Sequence, residues 1–405
     1  MPKIITDICI LGSGMVGLSL AHQIHERFKN LRVTIIEKEK TVGLHSSGRN
    51  SGVLHSGLYY PADSLKAKVC IPGAKKLKAW CKENGLEVFE SGKIITAQHD
   101  FLDPNLDLLF NRGRLNGAEV EIIDEREFKK ILPHGRTASG RALWSKSTCI
   151  VDPIKVIQKL RDNISSNKRI RFLFSERSYL IDVKKKIIKL RSGNNIHYDF
   201  LFNCSGSNAD KIAHEFGIGR EYKILPFRGS YWEIKRDAPF KFETNLYPVP
   251  DLNFPFLGVH ITPGLNGSVY IGPTAVPAFG RENYNGIKNI EPRMFFDFMG
   301  QILRKSIFDK KIRRYIYDQA FDWLPIKLIK SVNLIAPEIR LSHIKRSQKV
   351  GIRAQLFDNK NKEFINDFVM LEGNDSSHIL NAVSPAFTAS FELADYIIHE
   401  SVYFN

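Results

Sequence analysis

Four residues near the start of the chain have the types and spacing to hold a dinucleotide. Gly12, Gly14 and Gly17 form a G-x-G-x-x-G turn, and Glu37 follows twenty residues past the last glycine. Gly12 permits a tight turn, Gly14 lets the backbone approach a pyrophosphate, and Gly17 lets a helix pack closely on a strand. A helix starting at this turn offers free N–H groups and a positive dipole end to phosphates. Glu37 is placed to accept hydrogen bonds from ribose hydroxyls. A second concentration of chemistry runs from His45 to Gly57. Ser46, Ser47, Asn50 and Ser51 supply hydroxyl and amide groups, and Arg49 supplies a planar cation suited to phosphate. Gly48, Gly52 and Gly57 let the backbone approach a flat ligand. His55 is either a base facing that ligand or a structural histidine; residue type alone leaves both open.

These residues need a scaffold, and the surrounding patterns supply one. Ile8 to Leu11 reads as a strand, Leu18, Leu20, Ala21 and Ile24 as the apolar face of a helix, and Arg32 to Ile36 as a second strand. The spacing predicts a helix from Ser64 to Glu83, closed by Gly85. A second is predicted from Asp152-Pro153, an N-cap followed by proline, to about Ile164. Arg169 to Phe174 reads as strand, Lys186 to Arg191 and Ile196 to Cys204 as a hairpin, and Cys204-Ser205-Gly206 as another small-residue turn. Tyr222 to Pro277 is rich in strand and turn signals, which predicts a mostly antiparallel sheet in a separate layer. Pro292 to about Lys330 reads as helical, as does the stretch after Ser384. The expected fold is therefore α/β, α+β overall. A discontinuous Rossmann-like nucleotide domain (1–60, 151–212, 336–405) is interleaved with a substrate domain (61–150, 213–335).

Composition narrows the function classes. The chain has 405 residues, 43% hydrophobic and 25% charged, enough for a large core. It has no run of 18 apolar residues, so no membrane-spanning helix is expected. The first strand begins within a few residues of Met1 and leaves no room for a signal peptide, which points to a cytoplasmic chain. Five cysteines without a C-x-x-C pair read as reduced thiols and no metal cage. The net charge of +16 is spread along the chain. Lys184-Lys185-Lys186 reads as a solvated turn, while Lys310-Lys311 with Arg313-Arg314 is the group that would touch anionic lipid on the inner face of a membrane. No stacking-aromatic or helix-turn-helix signature accompanies the charge, which argues against nucleic acid.

Several stretches, in order along almost the whole chain, resemble the D-amino-acid-oxidase-like FAD-dependent oxidoreductases. Within that group they resemble the L-2-hydroxyglutarate dehydrogenase/oxidase family. They are Ser47-Gly-Arg-Asn-Ser-Gly-Val-Leu-His-Ser-Gly-Leu-Tyr-Tyr60, Ser64-Leu-Lys-Ala-Lys68, Gly92-Lys93, Pro226-Phe-Arg-Gly229 and Asn245-Leu-Tyr-Pro-Val-Pro-Asp251. Phe254 to Pro263, Gly272 to Val276, Gly351-Ile-Arg-Ala-Gln355 and Ser384-Pro385 complete the set. The resemblance implies non-covalent FAD and oxidation of a 2-hydroxy acid, L-2-hydroxyglutarate foremost. Electrons would pass to a quinone, a carrier or oxygen. It places the cofactor against Gly12, Gly14, Gly17, Glu37, Lys38, Ser46, Ser47, Arg49, Asn50, Ser51, Ser205, Gly206, Gly351 and Ser384. His55 and His260 are the implied bases. Arg353 and Lys66 would hold anionic groups, and Tyr247 and Tyr60 would contact substrate. The rival readings are a same-fold enzyme acting on an amine or glycerol-type alcohol, and a basic membrane-surface or nucleic-acid-binding flavoprotein without turnover. Near the C-terminus the family pattern His-Val-Arg-Asn-Ala-Pro-Ser-Pro here reads His378-Ile-Leu-Asn-Ala-Val-Ser-Pro385, after a loop about five residues shorter. Leu380 replaces a basic residue and Val383 a proline, which implies an altered carboxylate site or electron acceptor.

Overall fold

The computed structural model describes residues 3–177, 179–250, 257–296, 300 and 324–405. Two sheets dominate them. The first contains β1 (Lys3–Leu11), β2 (Val33–Ile36), β5 (Ile170–Leu173), β6 (Asn195–Asn203), β12 (Val369–Gly373) and β13 (Ser376–Leu380), in the order β12-β13-β6-β1-β2-β5. From β13 to β5 every pairing is parallel, and β12 adds an antiparallel edge. The inner ends of β1 and β6 are buried on both faces and read as continuous apolar runs, as parallel strands must. Helices cover the sheet because β-α-β crossovers put them there. Helix α1 (Met15–Arg27) packs on α6 (Ser390–Glu400) and on α3 (Pro153–Ser165), which is capped by the Asp152 carboxylate as expected.

The second sheet contains β3 (Lys93–Thr96), β4 (Arg141–Ser145), β7 (Tyr222–Ile234), β8 (Asn245–Pro248), β9 (His260–Pro263), β10 (Val269–Gly272) and β11 (Ile344–Asp358), in the order β11-β7-β10-β9-β8-β3-β4. It is antiparallel except between β8 and β3. One boundary differs from the sequence expectation. β11 was assigned with the nucleotide segment 336–405, yet it pairs with β7 from Tyr222↔Asp358 to Ile234↔Ile344. The chain therefore returns to the nucleotide sheet only at β12. A bulge between Ser230 and Trp232 bends this long ribbon. Helix α2 (Leu65–Glu83) begins at the Ser64 cap, as the spacing predicts, and α4 (Ala209–Glu215) follows the Cys204-Ser205-Gly206 turn. Of the predicted helical stretch 292–330, the described residues show helix at 292–296 and in α5 (Pro325–Asn333). The basic group at 310–314 lies outside them. No helix among the described residues is long and apolar enough to cross a membrane.

Candidate active site

A cavity of about 730 Å³ lies between the two sheets. One end is built by the glycine turn. Gly12 sits at φ +102°, a backbone region that favours glycine, and a Cβ there would meet the Cys204 carbonyl oxygen at 2.6 Å. Gly14 forms the N-cap of α1 without a side-chain cap of its own. The hydroxyl of Ser47 accepts from the Met15 N–H at 2.9 Å instead, which joins the Ser/Gly loop to the helix start. Gly17 does not line the cavity; its Cβ would lie 2.1 Å from the Gly12 carbonyl oxygen, so it serves the helix–strand contact. Glu37 closes the β2 end. Its carboxylate accepts from the Ser13 N–H and hydroxyl and from the Glu39 N–H, which fixes its direction toward the cavity it lines.

The loop residues divide by role. Ser46, Ser47, Arg49, Asn50 and Ser51 all line the cavity, as do Ser205, Gly206, Gly351 and Ser384. Asn50 mainly braces the loop, donating to the Ser46 and Ser47 carbonyls and accepting from the Gly52 N–H. Arg49 donates to the Leu44 and Val350 carbonyls and lies 4.3 Å over the Tyr284 ring. Lys38 lines the cavity beside Glu37. Its ammonium is already held by Glu39 (2.6 Å), His45 (2.6 Å) and Glu282 (2.5 Å). Glu39, His45 and Glu282 are spaced to hold a cation, and Lys38 occupies that position. The cluster clasps the end of β2 to the 279–291 loop of the other half, and local sequence did not reveal this pairing.

The opposite end holds the expected reactive groups. His55 follows a two-residue strand, Val53–Leu54, paired with Cys149–Ile150. Its N–H donates to the Thr388 hydroxyl. His260 opens β9, and its Nδ1–H donates to the Gly258 carbonyl at 2.8 Å. A carbonyl only accepts, so the tautomer is set and Nε2 carries the lone pair. The Tyr247 ring stacks on His260, with centroids 3.8 Å apart and an interplanar angle of 18°. Arg353, from β11, shares this part of the wall. Burial first, and then the cations Lys93 and Arg353, hold His260 down at about 3, against the bond to Gly258. Burial and the same two cations, together with His260, push His55 well below its ordinary value. Both imidazoles are neutral at physiological pH. Burial raises the Tyr247 phenol, which stays protonated.

Three expectations change here. Lys66 and Tyr60 do not line the cavity. Lys66 lies behind the wall against the rings of Tyr60 and Phe368, and burial lowers its amine to about 7. Tyr60 contacts Ser384 from the same side. Leu380 is fully buried in an apolar cluster with Ala209, Ala213, Ile224 and Leu356, while its neighbour Ile379 faces the cavity. Side chains alternate along a strand, so position 380 points away from any carboxylate in the cavity. The shortened loop is the β12–β13 turn, and none of residues 370–378 lines the cavity. The residue that sequence reading left without a role is Lys93, wholly buried at the start of β3. Its signal was a lysine opening an otherwise uncharged strand, Lys-Ile-Ile-Thr.

A glycine turn at a helix N-terminus, an acid at the next strand end and a long cavity leading to two neutral histidines define a flavin-type dinucleotide enzyme. The family model "FAD dependent oxidoreductase" (DAO) matches residues 7–399, and the chain belongs to that family. FAD is its cofactor. Gly12, Gly14, the N-terminus of α1 and Glu37 fit the group in the structure itself. The chain is 34% identical to the mitochondrial L-2-hydroxyglutarate dehydrogenase of Caenorhabditis briggsae, covering 98% of this chain and 93% of that one. It is 34% identical to the human mitochondrial enzyme of the same name (97% and 88%) and 33% identical to L-2-hydroxyglutarate dehydrogenase of Indibacter alkaliphilus (96% and 96%). Among solved structures, L-alpha-glycerophosphate oxidase from Mycoplasma pneumoniae with FAD bound superposes with a TM-score of 0.76 at 19% identity, covering 98% and 94%. Glycine oxidase from Geobacillus kaustophilus does so with 0.71 at 14%, covering 98% and 94%.

Proposed function

We propose that this protein oxidises L-2-hydroxyglutarate to the 2-oxo acid. The observation that carries the reading is the wall around His260. A neutral imidazole of defined tautomer stands beside a protonated tyrosine, and the charged groups acting on it, Lys93 and Arg353, are both cationic. Such a wall suits an anionic alcohol. The curated relatives bear the matching name. When bound, FAD supplies the hydride acceptor. His260 Nε2 takes the hydroxyl proton, Tyr247 orients the substrate oxygen, and the Arg353 guanidinium pairs with a carboxylate. Lys66 stands behind Arg353 and adds positive potential without direct contact. His55 flanks the same space and is the alternative base. The electrons pass on to a quinone, a carrier or oxygen.

The test is anaerobic titration of the purified yellow protein with a panel of 2-hydroxy acids. L-2-Hydroxyglutarate is expected to bleach the flavin within the dead time of manual mixing. The D enantiomer, amino acids and glycerol 3-phosphate should leave it oxidised. Bleaching by glycerol 3-phosphate or an amino acid alone would replace this reading with one of the same-fold alternatives.

A further inference from the structure

Cross-strand register places four buried polar residues in one row of the second sheet. Lys93 on β3 pairs with Ser145 on β4 and with Asn245 on β8. The Leu246↔Ile261 pairing then sets Asn245 beside Thr262 and, one row along, Tyr247 beside His260. All four side chains are essentially inaccessible. Ser145 reaches the Ser56 hydroxyl, but the Lys93 Nζ has no hydrogen-bond acceptor among the described residues. It lies 4.8 Å from the centre of the Tyr59 ring and 5.4 Å from that of Tyr247. An ammonium buried without a carboxylate is costly, and natural cores normally pair it. Aromatic faces offset only part of that cost.

We propose that Lys93 is a positioning residue, a charge built in behind the histidine pair to keep His55 and His260 in the neutral, proton-accepting form. It rests on the reading of these histidines as the base. The charged groups that face them are Lys93 from β3 and Arg353 from β11; Cys70 from α2 and the phenols of Tyr59 and Tyr247 face Lys93 itself. These two cations differ in one respect. Arg353 is in the cavity, where a substrate carboxylate neutralises it. Lys93 is outside the cavity lining, so its charge persists when a dianion binds and would otherwise favour the imidazolium.

The direction of the pH effect follows. A histidine base works above its own pKa, and activity falls as pH drops through it. Removing the nearby positive charge raises that pKa and moves the acid limb upward. Lys93→Met keeps the volume and loses the charge. The histidine titrations, followed by NMR without substrate, are expected to rise by about one pH unit, and the acid limb of kcat/KM with them. The rate at the foot of that limb falls about tenfold. The deficit vanishes a unit or two above that limb, where the histidines are neutral in both proteins. Unchanged histidine titrations in a folded, yellow variant would overturn the proposal, as would a loss of rate equal at every pH. If the variant does not fold, the wild type decides: its histidine resonances should show a second inflection near pH 8, where burial lets the Lys93 amine discharge, and its absence would count against the coupling. A wild-type flavin that ignores L-2-hydroxyglutarate would overturn the substrate reading and leave this titration standing.

Discussion

Replacing His260 with alanine is expected to slow reduction of the bound flavin by substrate by about 10²- to 10⁴-fold, the usual worth of a positioned general base. The protein should stay yellow, because His260 belongs to the second sheet and not to the glycine turn. Its Nδ1–H is committed to Gly258, which leaves Nε2 as the one atom able to take a proton. Alanine also removes the ring stacked on Tyr247, so part of the effect is lost orientation of the phenol. Stopped-flow reduction under anaerobic conditions separates chemistry from reoxidation by the acceptor. The same measurement on His55→Ala assigns the proton. A normal reduction rate in the His260 variant and a slow one in the His55 variant would move the base to His55. Normal rates in both would remove the histidines from the chemistry.

Gly14→Val is expected to give a folded but colourless protein. A Cβ at Gly14 would lie 2.9 Å from the Ser47 hydroxyl, the group that caps Met15 at the start of α1. A hydroxyl can swing aside, so the fold tolerates the change. The two methyl groups then project over the helix N-terminus, where a pyrophosphate must approach the backbone. Gly17 makes a useful contrast. Its new Cβ would meet the Gly12 backbone carbonyl at 2.1 Å, and backbone does not step aside. Gly17→Val should therefore lose the fold as well as the flavin. Visible absorbance against protein concentration, with circular dichroism beside it, distinguishes the two. A Gly14→Val protein that purifies with full flavin occupancy would refute the cofactor placement.

Legibility in the sequence tracked the range of the interactions. The glycine turn and Glu37 were readable because one strand–turn–helix–strand unit makes the whole pattern. The Asp152 and Ser64 caps were readable for the same reason. The pairing of Lys38 with Glu282 is not readable locally, because that partner comes from the far half of the chain. Lys66 and Tyr60 sit near the right residues but on the wrong side of a wall, and helical spacing does not reveal which face meets a cavity. Leu380 shows the opposite failure. It differs from the family pattern, yet strand alternation turns it into an apolar cluster, so its side chain does not reach the cavity. The place of β11 in the second sheet is not readable locally, because its partner β7 lies far upstream in the sequence. Lys93 falls in a resembling stretch, but the environment that makes it unusual exists only after four strands have assembled.

The cavity wall joins Gly12 to Ser384 and Thr388, and α1 packs on α6. This has a consequence for biosynthesis. A nascent chain that has emerged only through the second sheet carries its glycine turn, its histidines and its guanidinium, but lacks one flank of the nucleotide sheet and part of the ligand's enclosure. The flavin's enclosure is thus complete only once the C-terminal segment is made, and until β13 pairs with β6 the half-built first sheet exposes the edge of β6 to whatever chaperone or neighbouring chain can pair with it.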